Sequence, residues 1–241
     1  TIVVVDSHWF TTVEYIVTAH AHRAGRFTSD ELPRGMSAVP YELDGDPELA
    51  QALAQQADGR DDMWITPIDD PHLPIHYPTV NLLPFLQRDE RWVTISCCQT
   101  ADSQDALLVG TLLGEAIAGL DRRVVVLASG ALSHRFWPLR QLRAHEASDP
   151  SHIIDDTARA ADAVVLDAFS RGDHAAVIDN MPEFLGVKPE ARFSHYLTMI
   201  GSVGGRDCIA PGRPFSDYEN SIGTAQMHVW FDRPAAGWRL P

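Results

Sequence analysis

Continuous β-branched runs alternate with stretches of helical period along this chain, and that alternation predicts an α/β fold. The opening run Thr1-Ile-Val-Val-Val5 is apolar without a break, as in a strand buried on both faces, and it ends at Asp6-Ser7-His8-Trp9. Trp92–Ser96 reads as a second strand, Asp105–Leu120 as a helix through Leu108, Leu112 and Ile117, and Arg123–Gly130 as a third strand. Strand, helix, strand in that order argues for a parallel pair joined by a right-handed crossover. Asp46-Pro47 is an N-cap followed by proline at the first helical position, so Glu48–Ala57 is predicted helical and closed by Gly59.

Further along, Ser151–Ser170 carries Ile154, Ala161, Val165 and Phe169 on one stripe and stops at Gly172. Residues 174–182 and 190–203 also have helical character, and Met227–Phe231 reads as a late strand. Ile16–His22 fits a half-exposed edge strand. The proline-rich region Ile65–Pro84, with Asp69-Asp70, is predicted to be a long ordered loop of the kind that walls an active site. No repeat, low-complexity tract or domain linker interrupts the pattern. The expectation is therefore one α/β domain, with a central, mostly parallel or mixed sheet flanked by helices on both faces.

Charge narrows the function classes. The 241 residues hold 19 basic and 33 acidic side chains, a net charge of −14, which disfavours long-range attraction to nucleic acid or anionic lipid and favours a small-molecule substrate. Three cysteines, Cys97, Cys98 and Cys208, suggest no disulfide framework, and no apolar stretch approaches the roughly 20 residues of a membrane span. A cytoplasmic protein is expected. The chain starts abruptly inside a strand pattern, which suggests that something upstream is missing.

Ligands in open α/β sheets gather beyond the carboxyl ends of the strands, so polar residues just past apolar strands carry the candidate chemistry. His8 follows Val3-Val4-Val5 and His134 follows Val124–Leu127. Imidazole binds Fe(II) and titrates near neutrality, so one could hold metal while the other moves protons. The alternative for each is a hydrogen-bonded structural histidine. His20 and His22 are spaced to share a strand face and chelate a metal, although an edge strand explains them as well. Cys97-Cys98 has no adjoining basic residue to stabilise a thiolate and reads as packing. Dinucleotide, phosphate-loop, zinc-protease and nucleophile-elbow signatures are absent.

Taken in order, Ile2–Trp9, Phe27-Thr-Ser-Asp-Glu-Leu-Pro33, Tyr41–Leu49, Leu127–Phe136, Asn180-Met-Pro-Glu183 and Gly223-Thr-Ala-Gln226 resemble blocks of the class III extradiol dioxygenases, the LigB-like superfamily. The resemblance covers nearly the whole chain. It implies a single catalytic domain over residues 1–241 and a non-haem Fe(II) cofactor held by two histidines and a glutamate, a facial triad that leaves positions open. By motif, His8 resembles one histidine ligand and Glu190 the glutamate, although the glycine common beside that glutamate is Ala191 here. His134 resembles the histidine that acts as acid and base beside the substrate. Tyr77 and His76, in Ile75–Val80, match a segment that lines the substrate pocket, with Tyr77 orienting the ring or the bound oxygen. A tyrosine that only packs against the sheet is the alternative.

The other histidine ligand lies upstream in the family, so the resemblance implies that an N-terminal segment is missing here. The implied reaction is O2-dependent opening of a catechol-type ring, such as that of 3,4-dihydroxyphenylacetate, to a semialdehyde. The partners expected are an aromatic diol or aminophenol, O2 and further copies of the chain in a homo-oligomer. A 2-aminophenol dioxygenase and a metal-free, non-catalytic subunit of the same fold are the rival readings.

Overall fold

In the computed structural model, which describes residues 1–239, the opening apolar run becomes β1 (Ile2–Thr11), a strand hydrogen-bonded on both edges. The elements after it are β2 (Tyr15–Thr18), β3 (His22–Phe27), β4 (Val39–Asp44), α1 (Pro47–Gln56), β5 (Ile65–Ile68), α2 (Tyr77–Leu86), β6 (Trp92–Cys98), α3 (Ser103–Ala118) and β7 (Val125–Ser129). Five strands form one sheet in the order β5-β2-β6-β1-β7. β1 runs parallel to both β6 and β7, β2 runs parallel to β5, and the β2–β6 contact is antiparallel. The sheet is thus mixed and mostly parallel, and β3 and β4 form a separate antiparallel hairpin.

Residues group by their contacts into two compact units, Thr1–Ser129 with Ser194–Ser202, and Gly130–Phe193 with the chain from Val203 onward. The sheet belongs to the first. Alternation along β1 sends Val3 to a core shared with Leu49 and Leu53 of α1 and Val109 and Leu113 of α3. Ile2 and Val4 face the opposite way, into a core with Val80 and Leu83 of α2. Helices therefore cover both faces, and each fully buried leucine contributes roughly 1.5–3 kcal/mol relative to exposure. The Ser194–Ser202 helix packs on α3 through glycine: a Cβ on Gly110 would stand 2.2 Å from the Thr198 carbonyl oxygen, so no other residue fits without displacing a backbone.

The second unit contains α4 (Asp156–Arg171), α5 (His174–Asp179), α6 (Met181–Phe184) and four short strands, β8 (Gly212–Pro214), β9 (Glu219–Ser221), β10 (Thr224–Gln226) and β11 (Val229–Phe231). β9 pairs antiparallel with β10, and β8 with β11. Asp155 caps the start of α4 by accepting the Ala158 N–H at 2.8 Å, and Gly172 closes it at φ 66°.

The α/β class and the mixed central sheet are as expected, and several local expectations change. Ile65–Pro84 is not a loop: it contains β5 and the first part of α2, because Pro78 sits where a helix needs no N–H and the internal Pro84 comes only near the helix end. Ile16–His22 is not one edge strand. β2 lies inside the sheet, and His22 opens the β3–β4 hairpin. β6 and β7 run parallel and are joined through α3 as expected, but β1 lies between them. The α4 helix starts five residues later than predicted, at its Asp155 cap. Among the described residues no helix is long and apolar enough to cross a membrane. The three cysteines are all buried and none forms a disulfide.

Candidate active site

β1 is longer than its apolar run because it continues through a bulge. Its pairing with β7 ends at Asp6 opposite Ser129, while on the other edge Asp6 pairs with Ser96 and the next partner pair is Phe10 with Cys97. Ser7, His8 and Trp9 are therefore extra residues on this strand, a local departure that re-aims side chains. His8 lies inside the strand at this bulge rather than just past its end, which corrects the sequence expectation.

Asp6 anchors the bulge. Its buried carboxylate accepts the His8 N–H at 2.9 Å and the Thr79 hydroxyl at 3.5 Å, and Thr79 in turn lies 3.1 Å from the Thr94 hydroxyl. Burial pushes the Asp6 carboxyl up to about 6, against the lowering effect of those donors.

The His8 ring is held at both nitrogens. Nδ1 lies 2.8 Å from the Glu31 carboxylate and Nε2 lies 2.6 Å from the Tyr77 hydroxyl. A carboxylate only accepts, so Nδ1 carries the proton and Nε2 presents its lone pair, to which the Tyr77 O–H donates. On the neutral ring Nε2 therefore has the lone pair that a metal would need, and Glu31 stands at Nδ1 as an orienting partner does. Tyr77 opens α2 and His76 is its N-cap, so the helix start delivers both predicted pocket residues to this place. The His76 ring stacks on Trp9, centroids 5.6 Å apart.

Burial pulls the His76 imidazole down to about 4, from an ordinary 6.5. The folded protein keeps it neutral where the unfolded chain takes up a proton, so folding stability is lost as pH falls from about 6.5 towards 4. Discounted for solvent screening of a half-buried ring, the loss is about 1–2 kcal/mol. His76→Phe keeps a ring against Trp9 and is expected to flatten the pH dependence of urea unfolding across that window. An unchanged slope would show that burial does not hold this imidazole neutral.

Within the second unit, residues 131–134 lie between two other segments. Leu132 donates its N–H to the Ala225 carbonyl at 3.0 Å, and Ala225 donates back to Ser133 at 2.9 Å. On the other side, the His134 N–H reaches the Lys188 carbonyl at 3.0 Å and the Glu190 N–H reaches Leu132 at 3.2 Å. The Glu190 carboxylate closes the arrangement by accepting the Ala131 N–H at 2.6 Å. The predicted proton-transfer histidine and the predicted carboxylate ligand thus stand on segments bonded to each other. The His134 ring meets Phe136 edge-on, centroids 4.8 Å apart.

Directly after Glu190, three consecutive residues are left-handed: Ala191 at φ 47°, Arg192 at 56° and Phe193 at 64°. Residues 190–203 are consequently not one helix, and a regular helix begins only at Ser194. Each non-glycine residue in that conformation costs roughly 1–2 kcal/mol. This accounts for the glycine common in the family at the position of Ala191. Ala191→Gly is expected to raise stability by about 1 kcal/mol, read by urea denaturation. Destabilisation would mean that the alanine methyl contributes more by packing than its backbone strain costs.

The remaining candidates are structural. His20 is buried, with Nε2 2.7 Å from the Asp70 carbonyl, whereas His22 is exposed and faces Asp44 at 2.8 Å, so the two are not held by a shared metal. Cys97 accepts the Ser194 hydroxyl at 3.1 Å and Cys98 lies 3.5 Å from the Thr12 carbonyl, both buried in β6.

Residues 1–226, which include every side chain above, match a family model described as the catalytic LigB subunit of aromatic ring-opening dioxygenase. The chain belongs to this family. A 3,4-dihydroxyphenylacetate 2,3-dioxygenase from Escherichia coli is similar to this LigB-family chain, 30% identical over 187 residues that make up 76% of the chain and 66% of that enzyme. The match spans just under two thirds of the relative's length. The crystal structure of an uncharacterized protein from Escherichia coli K12 superposes with a TM-score of 0.61 at 18% identity, over 95% of this chain and 84% of that one, which shows the fold.

For the iron that the family implies, the donors fit in kind: an imidazole with a directed Nε2 lone pair at His8 and a carboxylate at Glu190. They fall short in number. Among the described residues no group of three histidine, cysteine, aspartate or glutamate side chains is placed to hold a metal.

Asp6, Trp9 and Glu31 were not singled out in the sequence as site residues. Asp6 and Trp9 flank His8 in its motif, and Glu31 stands in the Phe27–Pro33 block, where nothing local ties it to a histidine 23 residues earlier.

Proposed function

We propose that this chain opens a catechol-type aromatic ring with O2 by extradiol cleavage, using Fe(II) to which it contributes His8 and Glu190. The observation that carries the reading is the pairing of residues 131–134 with 188–190, which supports joint action of His134 and Glu190. The family match over residues 1–226 supports the reaction class, and the similarity to a dihydroxyphenylacetate dioxygenase supports an aromatic diol as substrate.

Fe(II), when bound, supplies the site at which the diol and dioxygen meet. The chain's own residues do the rest. Glu31 and Asp6 hold the His8 ring and backbone. The Tyr77 hydroxyl, which reaches the His8 Nε2 at 2.6 Å, would turn to the ring oxygens once that lone pair is taken by iron, and His76, neutral above about pH 4, offers a flat wall beside Trp9. His134 takes a proton at its imidazole from a substrate hydroxyl and returns it to an oxygen derived from O2 as the ring opens. Both atoms of O2 enter the product, a semialdehyde carboxylate.

Oxygen uptake by the Fe(II)-reconstituted protein across catechols and 2-aminophenols tests the reading. Uptake is expected with diols. Uptake with aminophenols alone would move the substrate class, and a flat response to every ring would favour the non-catalytic subunit.

A further inference from the structure

A buried polar cluster in the second unit has no part in the chemistry above. Asp162, on the inner face of α4, is fully buried. Its Oδ1 accepts the backbone N–H of Ser133 at 2.9 Å, and its Oδ2 accepts both the Ser133 hydroxyl and the Tyr218 hydroxyl at 2.7 Å. Burial pushes this carboxyl up and the three donors draw it back down. A buried carboxylate is a poor device for stability alone, because well-packed apolar residues serve as well or better. What it does secure is geometry. One carboxylate gripping both the N–H and the Oγ–H of a single residue fixes that residue's backbone and its rotamer together.

Ser133 immediately precedes His134. His134 itself is tethered by its backbone N–H to the Lys188 carbonyl and by the edge contact with Phe136. The direction in which the chain enters the residue is set one position earlier, where Asp162 holds the N–H and hydroxyl of Ser133 and the Ala225 N–H holds its carbonyl.

We propose that Asp162, steadied by Tyr218, is a positioning residue that acts through Ser133 to aim the His134 imidazole. This rests on the reading of His134 as the proton-transfer group. A small error in aim is costly for such a group, since a displacement of about 1 Å can cost about 10²-fold in rate.

The test is a double-mutant cycle in the Fe(II)-reconstituted protein, combined with the NMR resonance of the His134 Cε1–H, assigned by its disappearance in His134→Phe. Asp162→Asn keeps the volume but replaces one acceptor oxygen with a donor that faces other donors. It is expected to lower kcat by about 10–100-fold with KM nearly unchanged, and to shift the His134 resonance. In the His134→Phe background the same substitution should produce no further loss. Tyr218→Phe removes one of the three hydrogen bonds and should show both effects more weakly, which serves if Asp162→Asn folds poorly.

An unmoved His134 resonance, or a fall in kcat that persists undiminished without His134, overturns the proposal. The failures are distinguishable. If His134→Phe turns over like the wild type, the functional reading falls and takes this inference with it. If His134→Phe is slow and the two losses simply add, only the inference falls.

Discussion

His134→Phe is expected to lower turnover by about 10²–10⁴-fold while leaving the iron content of the reconstituted protein near that of the wild type. The imidazole is the only part of His134 that this change removes from the site. The Lys188 tether uses the backbone N–H, and the edge contact with Phe136 can be made by the new ring. Folding and the placement of Glu190 should therefore survive, and the loss should lie in kcat. Iron analysis and steady-state rates on one preparation separate the roles. Lost iron would make His134 a ligand, and an active, iron-replete variant would rule out the proposed proton transfer.

His8→Ala should behave in the opposite way. It removes an imidazole whose Nε2 lone pair is oriented through the Glu31 carboxylate at Nδ1, and the bulge that presents it remains. Loss of an orienting partner alone commonly costs 10–100-fold in metal affinity, so loss of the ligand is expected to cost more than about 10²-fold, with turnover falling in proportion to iron. Metal titration of the purified variant measures this. Full iron occupancy with normal affinity would show that His8 is a structural histidine clasped between Tyr77 and Glu31.

Much of the fold was legible because burial on two faces leaves an unmistakable mark. Val3-Val4-Val5 and Trp92–Cys98 are buried throughout, Val125–Ser129 is a largely apolar strand at the sheet edge, and all three lie side by side in the sheet. The spacing of Leu112 and its neighbours likewise gave α3, though not its Asp102/Asp105 capping box. What escaped detection was whatever depends on distant partners. The bulge at Ser7–Trp9 exists only relative to β6, and α2 was hidden because proline at a helix start and proline in a loop look alike along a sequence. The left-handed run after Glu190 had one local sign, an alanine where the family favours glycine.

The site was legible to the same degree. His8, His76 and Tyr77 come together around one bulge, and His134 and Glu190 on two segments hydrogen-bonded to each other. Their supporting carboxylates were not singled out. Asp162 shares the inner face of α4 with Ala158, Val165 and Phe169, and an acid on an apolar stripe is a signal that a buried partner awaits it. Asp6 and Glu31 carry no such mark, because an aspartate at a strand end and a glutamate in a loop are ordinarily solvated.

The most direct test of ring opening is the stoichiometry and product of O2 consumption by the Fe(II)-reconstituted protein with 3,4-dihydroxyphenylacetate or a simpler catechol, followed by oxygen electrode, mass spectrometry and NMR of the product together. The reading predicts one O2 consumed per ring and a single product that gains both oxygen atoms as one new carboxylate and one aldehyde. No consumption with any ring substrate, or a product with two new carboxylates and no aldehyde, formed by cleavage between the two hydroxyls, would contradict it.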